Sequence, residues 1–455
     1  MIPAHEVVER ALAAASRGDG VVVVVDETAR SHLRWSGDAA TSAGHVLDRR
    51  VHVAVVTAGG TAGVVSASGA LDVTAVRGLV ADAAAAARRS GAEAGAAPLV
   101  AADRPPSPDW HDPPVVAPPG ALGRLAAEVA TAARRAAARG RVLHGYAEHE
   151  VRTTLLGTTT GLRLRHVRPT ALVDLTGRDD RLGASSWASA EVDDPAGLDL
   201  AGLLADVDRR LDLSARRVRA RPGRHEVLLP PSCAADLMRH LYQAAGARDA
   251  HAGRGAFGGK LGTRLSGLPL TLRSDPVEPG VACEPFVVAR ASGADTAVSD
   301  NGLALRPTSW ISDGVLTALV HTRASADRAG VAVTPRVGNL VLDGPPGGRS
   351  TTELVESTAD GLLLTSLWYL REVDPRTLRL TGLTRDGVHL VRDGEVVAAV
   401  DDFRFDESPL HLLDRVTEVG RTTPAPARER DDEERTRTAM PPLRVADFAV
   451  AGPAA

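Results

Sequence analysis

The 455-residue sequence is poor in several features that mark particular protein classes. It has only two cysteines, Cys233 and Cys283, which excludes a disulfide scaffold and favours a reducing, cytoplasmic location. No C-x-x-C pair or Cys/His cluster with zinc-ligand spacing occurs. Lys260 is the single lysine, and we attribute the preference for arginine to codon bias in a GC-rich genome.

Long apolar runs are also lacking. No run approaches the roughly 18 to 20 residues that span a bilayer. Acidic residues within the first ten positions are not typical of a secretory signal. The net charge of -4 produces no field that would attract nucleic acid or an anionic membrane surface. We therefore expect neither nucleic acid nor a membrane as a partner.

Apolar residues are present in the amount that a soluble globular protein needs, at 44% of the chain. The length predicts more than one domain. We predict an α+β protein with two N-terminal α/β units followed by a mostly antiparallel, β-rich C-terminal domain. The predicted boundaries are an N-terminal domain at 1–90, a Pro/Ala-rich linker at 91–120, a central domain at 121–215 and the C-terminal domain at 220–455.

Hydrophobic periodicity and turn residues predict the individual elements. The predicted helices cover residues 3–17, 71–89, 122–139, 198–213 and 232–245. The predicted N-terminal strands and strand-like segments cover residues 20–26, 31–36, 51–57, 63–67, 150–156, 162–166 and 170–175. In the C-terminal domain we predict tight hairpins at Asn301-Gly302, Asp313-Gly314, Asp386-Gly387 and Asp393-Gly394. The charged stretch 421–437 is predicted to be a solvated loop before a final strand at 443–450.

Three His-Glu pairs could begin a zinc-peptidase helix: His5-Glu6, His149-Glu150 and His225-Glu226. In H-E-x-x-H the two histidines lie one helical turn apart and share a metal, while the glutamate activates water. None of the three pairs is followed by a histidine four or five positions after the first one. We therefore interpret all three pairs as incidental.

Other chemical motifs are similarly weak. The segment 253–258 matches G-x-G-x-x-G, but a predicted helix precedes it, whereas a dinucleotide site needs a strand before and a helix after. No G-x-S-x-G elbow is present. Because neither Cys233 nor Cys283 has a demonstrable histidine neighbour in the sequence, we interpret both thiols as buried structural groups.

The order of several segments resembles the TldD/PmbA family of metallopeptidases over most of the chain. The N-terminal stretch SHLRWSG at 31–37 is a weak match. A stronger one begins with RPGRHEVLLPP at 221–231 and continues through the helix 234–245 into FGGKLG at 257–262. The segments 310–319, 338–339 and 360–367 resemble further family segments in the same order. This combination is fairly specific.

The resemblance also shows where this chain departs from catalytic members of the family, which carry H-E-x-x-x-H on the helix after Pro231. Aligned on that proline, the first histidine falls on Arg239, the glutamate on His240 and the second histidine on Ala244. A late cysteine ligand is also missing, because no cysteine follows Gly420. PmbA-like members lack the same motif and often have a histidine where His240 stands, so His240 is a candidate contact to substrate or partner.

The resemblance therefore implies a PmbA/TldE-like subunit without a cofactor of its own. Its expected partner is a TldD-like catalytic subunit that carries zinc, and its expected substrate is an extended or unfolded peptide, bound as an added strand on a sheet edge. Formation of homodimers is left open. Two alternatives stand beside this hypothesis. One is a self-sufficient hydrolase with ligands from His240, His251, His321 and Cys283, and the other is a regulatory binding protein of the gyrase-modulator type.

Overall fold

A computed structural model of the chain describes residues 2–91, 95–430 and 436–453. In its N-terminal half, four helices accompany one antiparallel sheet of six strands in the order β3-β2-β1-β4-β5-β6. The strands are β1 (Gly20–Ser36), β2 (Ala39–Val56), β3 (Ala62–Ser68), β4 (Val142–Thr158), β5 (Arg163–Asp179) and β6 (Ala184–Val192). The helices are α1 (Ala4–Ala13), α2 (Val73–Arg89), α3 (Gly123–Ala138) and α4 (Leu200–Leu213).

Strand β1 explains how this sheet is covered on both faces. Val21, Val23 and Val25 pack with α1 and α2. Val22 and Val24 point to the opposite face, where they meet Phe286 and Val298 of the C-terminal half. Successive strand residues face opposite sides of a sheet, so an unbroken valine run is what a sheet buried on both faces requires.

The C-terminal half contains sixteen strands and five helices among its described residues. The strands are β7 (Arg217–Val218), β8 (Gly223–Leu229), β9 (Thr271–Ser274), β10 (Thr308–Ser312), β11 (Val315–Leu316), β12 (Asn339–Asp343), β13 (Asp360–Leu364), β14 (Leu367–Asp374), β15 (Arg379–Thr384), β16 (Val388–Arg392), β17 (Glu395–Val400), β18 (Phe403–Glu407), β19 (Val416–Val419), β20 (Thr423–Pro424), β21 (Arg437–Met440) and β22 (Leu443–Pro453). The helices are α5 (Pro231–Gln243), α6 (Ala247–His251), α7 (Arg323–Ala329), α8 (Thr351–Glu356) and α9 (Pro409–Leu412).

These strands form two sheets. One has the order β11-β10-β9-β12-β21-β20, and the other has the order β14-β15-β18-β22-β8-β13-β16-β17-β7 with β19 paired to β22. Most pairs are antiparallel, and β8–β13, β12–β21 and β7–β17 are parallel. The main core of this half surrounds α5, whose Leu237, Met238 and Leu241 are buried between the sheets. The predicted α+β class with an antiparallel-rich C-terminal part is confirmed.

Several local predictions were wrong in extent. The segments 20–26 and 31–36 belong to the single strand β1, and 163–166 and 170–175 belong to β5, which begins one residue after the predicted start at Leu162. Strand β5 can contain Pro169 because β6 ends opposite Ala171. No neighbouring strand therefore lies beside the edge of β5 at which Pro169 lacks an N–H donor. Strand β6 itself was missed.

The two N-terminal units share one sheet through the pairing of β1 with β4. The predicted domain boundaries stay a prediction. The structure adds that the sheet is continuous across the predicted boundary between the N-terminal and central units. The connecting residues 91–120 contain no helix or strand among those described, and they contribute Trp110 to the core beneath α1 and α2.

Two of the four predicted hairpins were wrong. Asp313-Gly314 joins the paired strands β10 and β11, and Asp393-Gly394 joins the paired strands β16 and β17. Asn301-Gly302 follows a short 3-10 turn, and Asp386-Gly387 lies between β15 and β16, which pair with other strands. These dipeptides specify a positive φ, but they do not specify which strand pairs with which.

The stretch 421–437 was also predicted wrongly as a solvated loop, because its described part contains strand residues and the buried Arg437. Arg437 is 5% exposed on β21 and pairs with Asp193 at 2.6 Å and Glu191 at 3.1 Å beside β6. Its guanidinium also donates to the Pro169 carbonyl at 2.7 Å. The charges of this stretch therefore fasten the two halves of the molecule together. Separately, none of the described helices has the length and apolar character needed to cross a membrane.

We predict that Arg437→Met lowers the free energy of unfolding by about 3 kcal/mol, because the substitution leaves acceptors unpaired at the interface between the halves. Arg178→Met is the matched control, since it removes an ion pair to Asp180 whose two side chains are 55% and 64% exposed. Such exposed pairs contribute at most about 1 kcal/mol. Urea denaturation measures both variants, and equal losses would contradict the assigned role of Arg437.

Candidate functional site

Helix α5 carries the positions that the sequence comparison identified. It starts at Pro231, directly after the buried end of β8, and proline suits this first position because it lacks an N–H. Arg239 and His240 lie in the second half of the helix, and Ala244 is its C-cap residue. The helix is buried on most sides, so these positions lie inside the C-terminal half and not on a free surface.

Arg239 is 7% exposed and its guanidinium donates to the main-chain carbonyl of Glu429. One turn earlier, an oxygen of the Asp236 carboxyl group accepts from the Glu429 N–H at 3.2 Å. The two side chains thus hold both backbone groups of one residue that is 190 positions away in sequence. Arg239 therefore serves as half of a clamp on the Glu429 backbone.

The clamped residue belongs to the covering segment, which we define as residues 427–430. Arg428 donates to Ser366 and Asp386, and its guanidinium lies 5.1 Å from the Trp187 ring and 4.7 Å from the Trp368 ring. Stacking between two aromatic faces suits the planar, weakly hydrated guanidinium. The segment is therefore fixed to β6 of the N-terminal half as well as to the C-terminal sheet.

The far end of the covering segment is held in the same way. The Glu429 carboxylate accepts from the Leu370 N–H at 3.2 Å. Arg430 donates to Asp174 of β5 and, at 3.4 Å, to the Ser189 hydroxyl of β6. Contacts from three successive side chains thus secure the segment over α5.

His240 is half-buried beside two cations. Burial, followed by the charges of Arg239 and Arg371, lowers the pKa of His240 to about 4, so its imidazole is neutral at pH 7. Ala244 has no donor atom, and Arg239 is a cation already bound to a carbonyl. These three side chains do not fit a zinc ion, which needs several neutral or anionic ligands at one point.

The other candidate ligands do not converge on one point either. His251 and His321 lie near each other, with ring centroids 5.4 Å apart. Cys283 is buried elsewhere against Gly338, and burial raises its pKa to about 12. Among the residues that the structure describes, no group of three or more His, Cys, Asp or Glu side chains could hold a metal ion.

The remaining motifs lie in secondary structure that does not suit the chemistry they could indicate. His149 and His225 are on strands β4 and β8, whereas a zinc-peptidase pair needs a helix. His5 is on α1 and stacks edge-on against His111, with 4.9 Å between ring centroids. The glycine-rich segment 253–258 follows the short helix α6, and no helix follows it before β9.

Sequence reasoning missed a cleft of about 670 Å³ at the junction of the two halves. Strand β6 lines one side, helix α4 and the start of α5 line others, and His389 lies at the C-terminal sheet. A usable signal was present, since apolar Ala188, Ala190 and Val192 alternate with Ser189 and Glu191 as in a half-buried strand. The small residues of this stretch made the alternation easy to overlook.

Comparison with known proteins places this architecture in a family. Residues 222–452 match the family model described as the PmbA/TldA metallopeptidase C-terminal domain. This match spans more than half of the chain, and the chain belongs to the TldD/PmbA family. No significant sequence match is found among curated proteins.

Solved structures share the fold over almost the whole chain. TldE from Thermococcus kodakarensis superposes with a TM-score of 0.79 at 15% identity, covering 98% of this chain and 99% of that chain. A proposed modulator of a DNA gyrase from Thermotoga maritima gives 0.78 at 16% identity over 98% and 99%. Another such protein, from Bacteroides thetaiotaomicron, gives 0.76 at 14% identity over 99% and 98%. At these identities the likeness concerns the fold.

The clamp on Glu429 generates a prediction about pH. Burial raises the pKa of Asp236 from 3.8 to about 7, so between pH 4 and 7 the folded chain holds a proton that the unfolded chain releases. The stability contributed by this proton is present at low pH and is lost as the pH rises through 7. Asp236→Asn cannot ionise, so relative to the wild type it should gain about 2 to 3 kcal/mol in unfolding free energy between pH 5 and pH 8.

Denaturant titrations of both proteins at the two pH values test this prediction. The pKa values of His240 and His389 are also shifted, but their contributions occur in both proteins and cancel in the difference. Parallel pH profiles for the two proteins would contradict the protonated, clamped state of Asp236.

Proposed function

We propose that this chain is a PmbA/TldE-like subunit that lacks a zinc site and completes a heterodimeric metalloprotease with a TldD-like catalytic subunit. The observation that carries the proposal is which residues α5 has at the two positions where the family's catalytic members have metal-binding histidines. Arg239 stands at the first ligand position and is committed to the Glu429 carbonyl, while Ala244 offers no ligand at the second. A chain that belongs to a metallopeptidase family but lacks the ligands needs a second chain for the chemistry.

The contribution of this subunit is assembly and the binding of extended peptide, either unfolded chains or leader segments that the complex removes. The feature that supports peptide binding is the position of β6, which is an edge strand of the six-stranded sheet and lines the cleft between the halves. Edge strands present unpaired backbone groups to which an extended peptide can add. His240, with its neutral imidazole, stays a candidate contact to the partner or substrate.

The two other hypotheses receive less support. A self-sufficient hydrolase would need its ligands together. Of its four candidate ligands only His251 and His321 lie near each other, with 5.4 Å between ring centroids, and among the described residues no metal-binding group of three forms. The wording "modulator of a DNA gyrase" belongs to two structural relatives of 16% and 14% identity, and the net charge of -4 gives a nucleic-acid-linked role no support.

Mixing the purified chain with a TldD-like chain from the same genome tests the proposal. We expect the two to co-elute in size-exclusion chromatography and the mixture to cleave an unfolded peptide. Metal analysis should find zinc in the TldD-like chain and less than stoichiometric zinc in this one. The control is each chain assayed alone. Stoichiometric zinc with peptidase activity in this chain alone, or separate elution of the two chains, would overturn the proposal.

A further inference from the structure

The outer edge of β6 has unused backbone groups. Trp187 directs its N–H away from β5 to the Asp386 carbonyl at 3.2 Å, and its own carbonyl accepts from Arg210 at 2.9 Å. Because backbone groups alternate along an antiparallel strand, those of Ser189 and Glu191 also face away from β5. Within the described part of the chain these groups have no hydrogen-bond partner. About 14 Å of free edge therefore faces the cleft beyond Trp187.

Arg210 places a positive charge at the Trp187 end of this free edge. Its guanidinium, whose side chain is 21% exposed, has one weak acidic neighbour, Asp206 at 3.9 Å. Burial lowers the pKa of Arg210, and the charge of Asp206 opposes that shift. A cation with so little compensation would gain from an anion in the same cleft.

The start of α5 lies in the same cleft and lacks a cap. Its N-cap residue is Pro230, which has no side chain able to accept a hydrogen bond. The N–H groups of Ser232 and Cys233 have no acceptor among the described residues. A helix of thirteen residues carries a partial positive charge at such an end, where its N–H groups can bind an anion.

His389 is the independent observation that indicates a ligand. This side chain is 2% exposed and lines the cleft, yet neither ring nitrogen has a hydrogen-bond partner in the described structure. Burial, followed by the charge of Arg210, lowers the pKa of His389 to about 4, so the neutral ring offers one N–H donor. Most buried polar groups are paired, and one that is unpaired on both ring nitrogens and lines a cleft indicates a site for a hydrogen-bonding ligand.

The acidic groups of the cleft are already engaged. Glu191 pairs with Arg437 at 3.1 Å, and Asp206 pairs with Arg209 at 2.5 Å. Their charges are therefore compensated locally, while Arg210, the α5 terminus and His389 all present donors. The cleft combines a free strand edge with a donor-rich end.

We propose that this cleft binds the C-terminal end of an extended peptide, which pairs with β6 at Ser189 and Glu191 and places its terminal carboxylate between Arg210, His389 and the start of α5. The inference rests on the proposed peptide-binding role and specifies its site and the group recognised. A carboxylate accepts several hydrogen bonds at once, which matches the three kinds of donor in the cleft. The peptide's remaining residues extend along the free edge.

The first experiment needs no variant. Fluorescence anisotropy measures binding of the full chain to an N-terminally labelled Ser/Ala/Val heptapeptide with a free C-terminal carboxylate, and to the same peptide as its C-terminal amide. We expect the acid to bind at least about tenfold more tightly. A third peptide, an amide ending in glutamate, tests whether a side-chain carboxylate replaces the terminal one. Equal affinity of acid and amide, or no binding of either, would overturn the proposal.

Variants then separate the two parts of the site. Arg210→Gln should remove the preference for the acid, whereas Arg134→Gln, which removes one exposed charge from α3, should keep it. Ser189→Pro removes an outward N–H without touching the ladder to β5, and should weaken both peptides about tenfold. Ser185→Pro is the matched control at an outward position outside the cleft. Unchanged binding in Ser189→Pro would contradict strand pairing at β6.

Failure of this inference is distinguishable from failure of the proposed function. If the complex forms and cleaves peptides while the isolated chain shows no preference for the acid, only the carboxylate site is wrong. If the isolated chain prefers the acid but never associates with a TldD-like chain, only the subunit role is wrong.

Discussion

The architecture depends on arginine side chains that join two halves lacking one common large core. The main hydrophobic cluster lies wholly within residues 227–450, and the N-terminal helices and sheet have clusters of their own. Between the halves, Arg290 reaches Asp26 at 2.8 Å, and Arg168 reaches Glu284 at 3.3 Å. The guanidinium fork can bind a carboxylate with two parallel hydrogen bonds, as Arg290 does, and lysine cannot do this.

This polar junction has a structural consequence. An apolar interface favours close packing, because the side chains that line a void lose dispersion contacts. An interface fixed by discrete ion pairs and by one small apolar cluster around Phe286 can leave space between its contacts. The cleft beside β6 is such a space, and its walls come from the sheet of one half and the first turn of α5 in the other.

Helix α5 contributes to both the junction of the halves and the cleft. Near the middle of the helix, Asp236 and Arg239 clamp the Glu429 backbone, which holds the covering segment over α5. Its first turn lines the cleft, and the N–H groups of Ser232 and Cys233 there have no acceptor among the described residues. The two parts of α5 thus have separate roles, because one supports the junction of the halves and the other presents N–H groups at the cleft.

The sequence by itself determined much of this protein. Valine runs, proline turns and helical periodicity predicted the α+β class and most helices, because these patterns act through local geometry. Segment order identified the family, and the resemblance predicted that Arg239 and Ala244 stand at positions where catalytic members have metal ligands. Only the tertiary structure decided which distant groups the side chains of α5 and of the covering segment contact. The partners of Arg239 and Arg428 and the isolation of His389 depend on contacts between residues far apart in sequence, and no local pattern specifies which distant carbonyl, ring or carboxylate a given arginine meets.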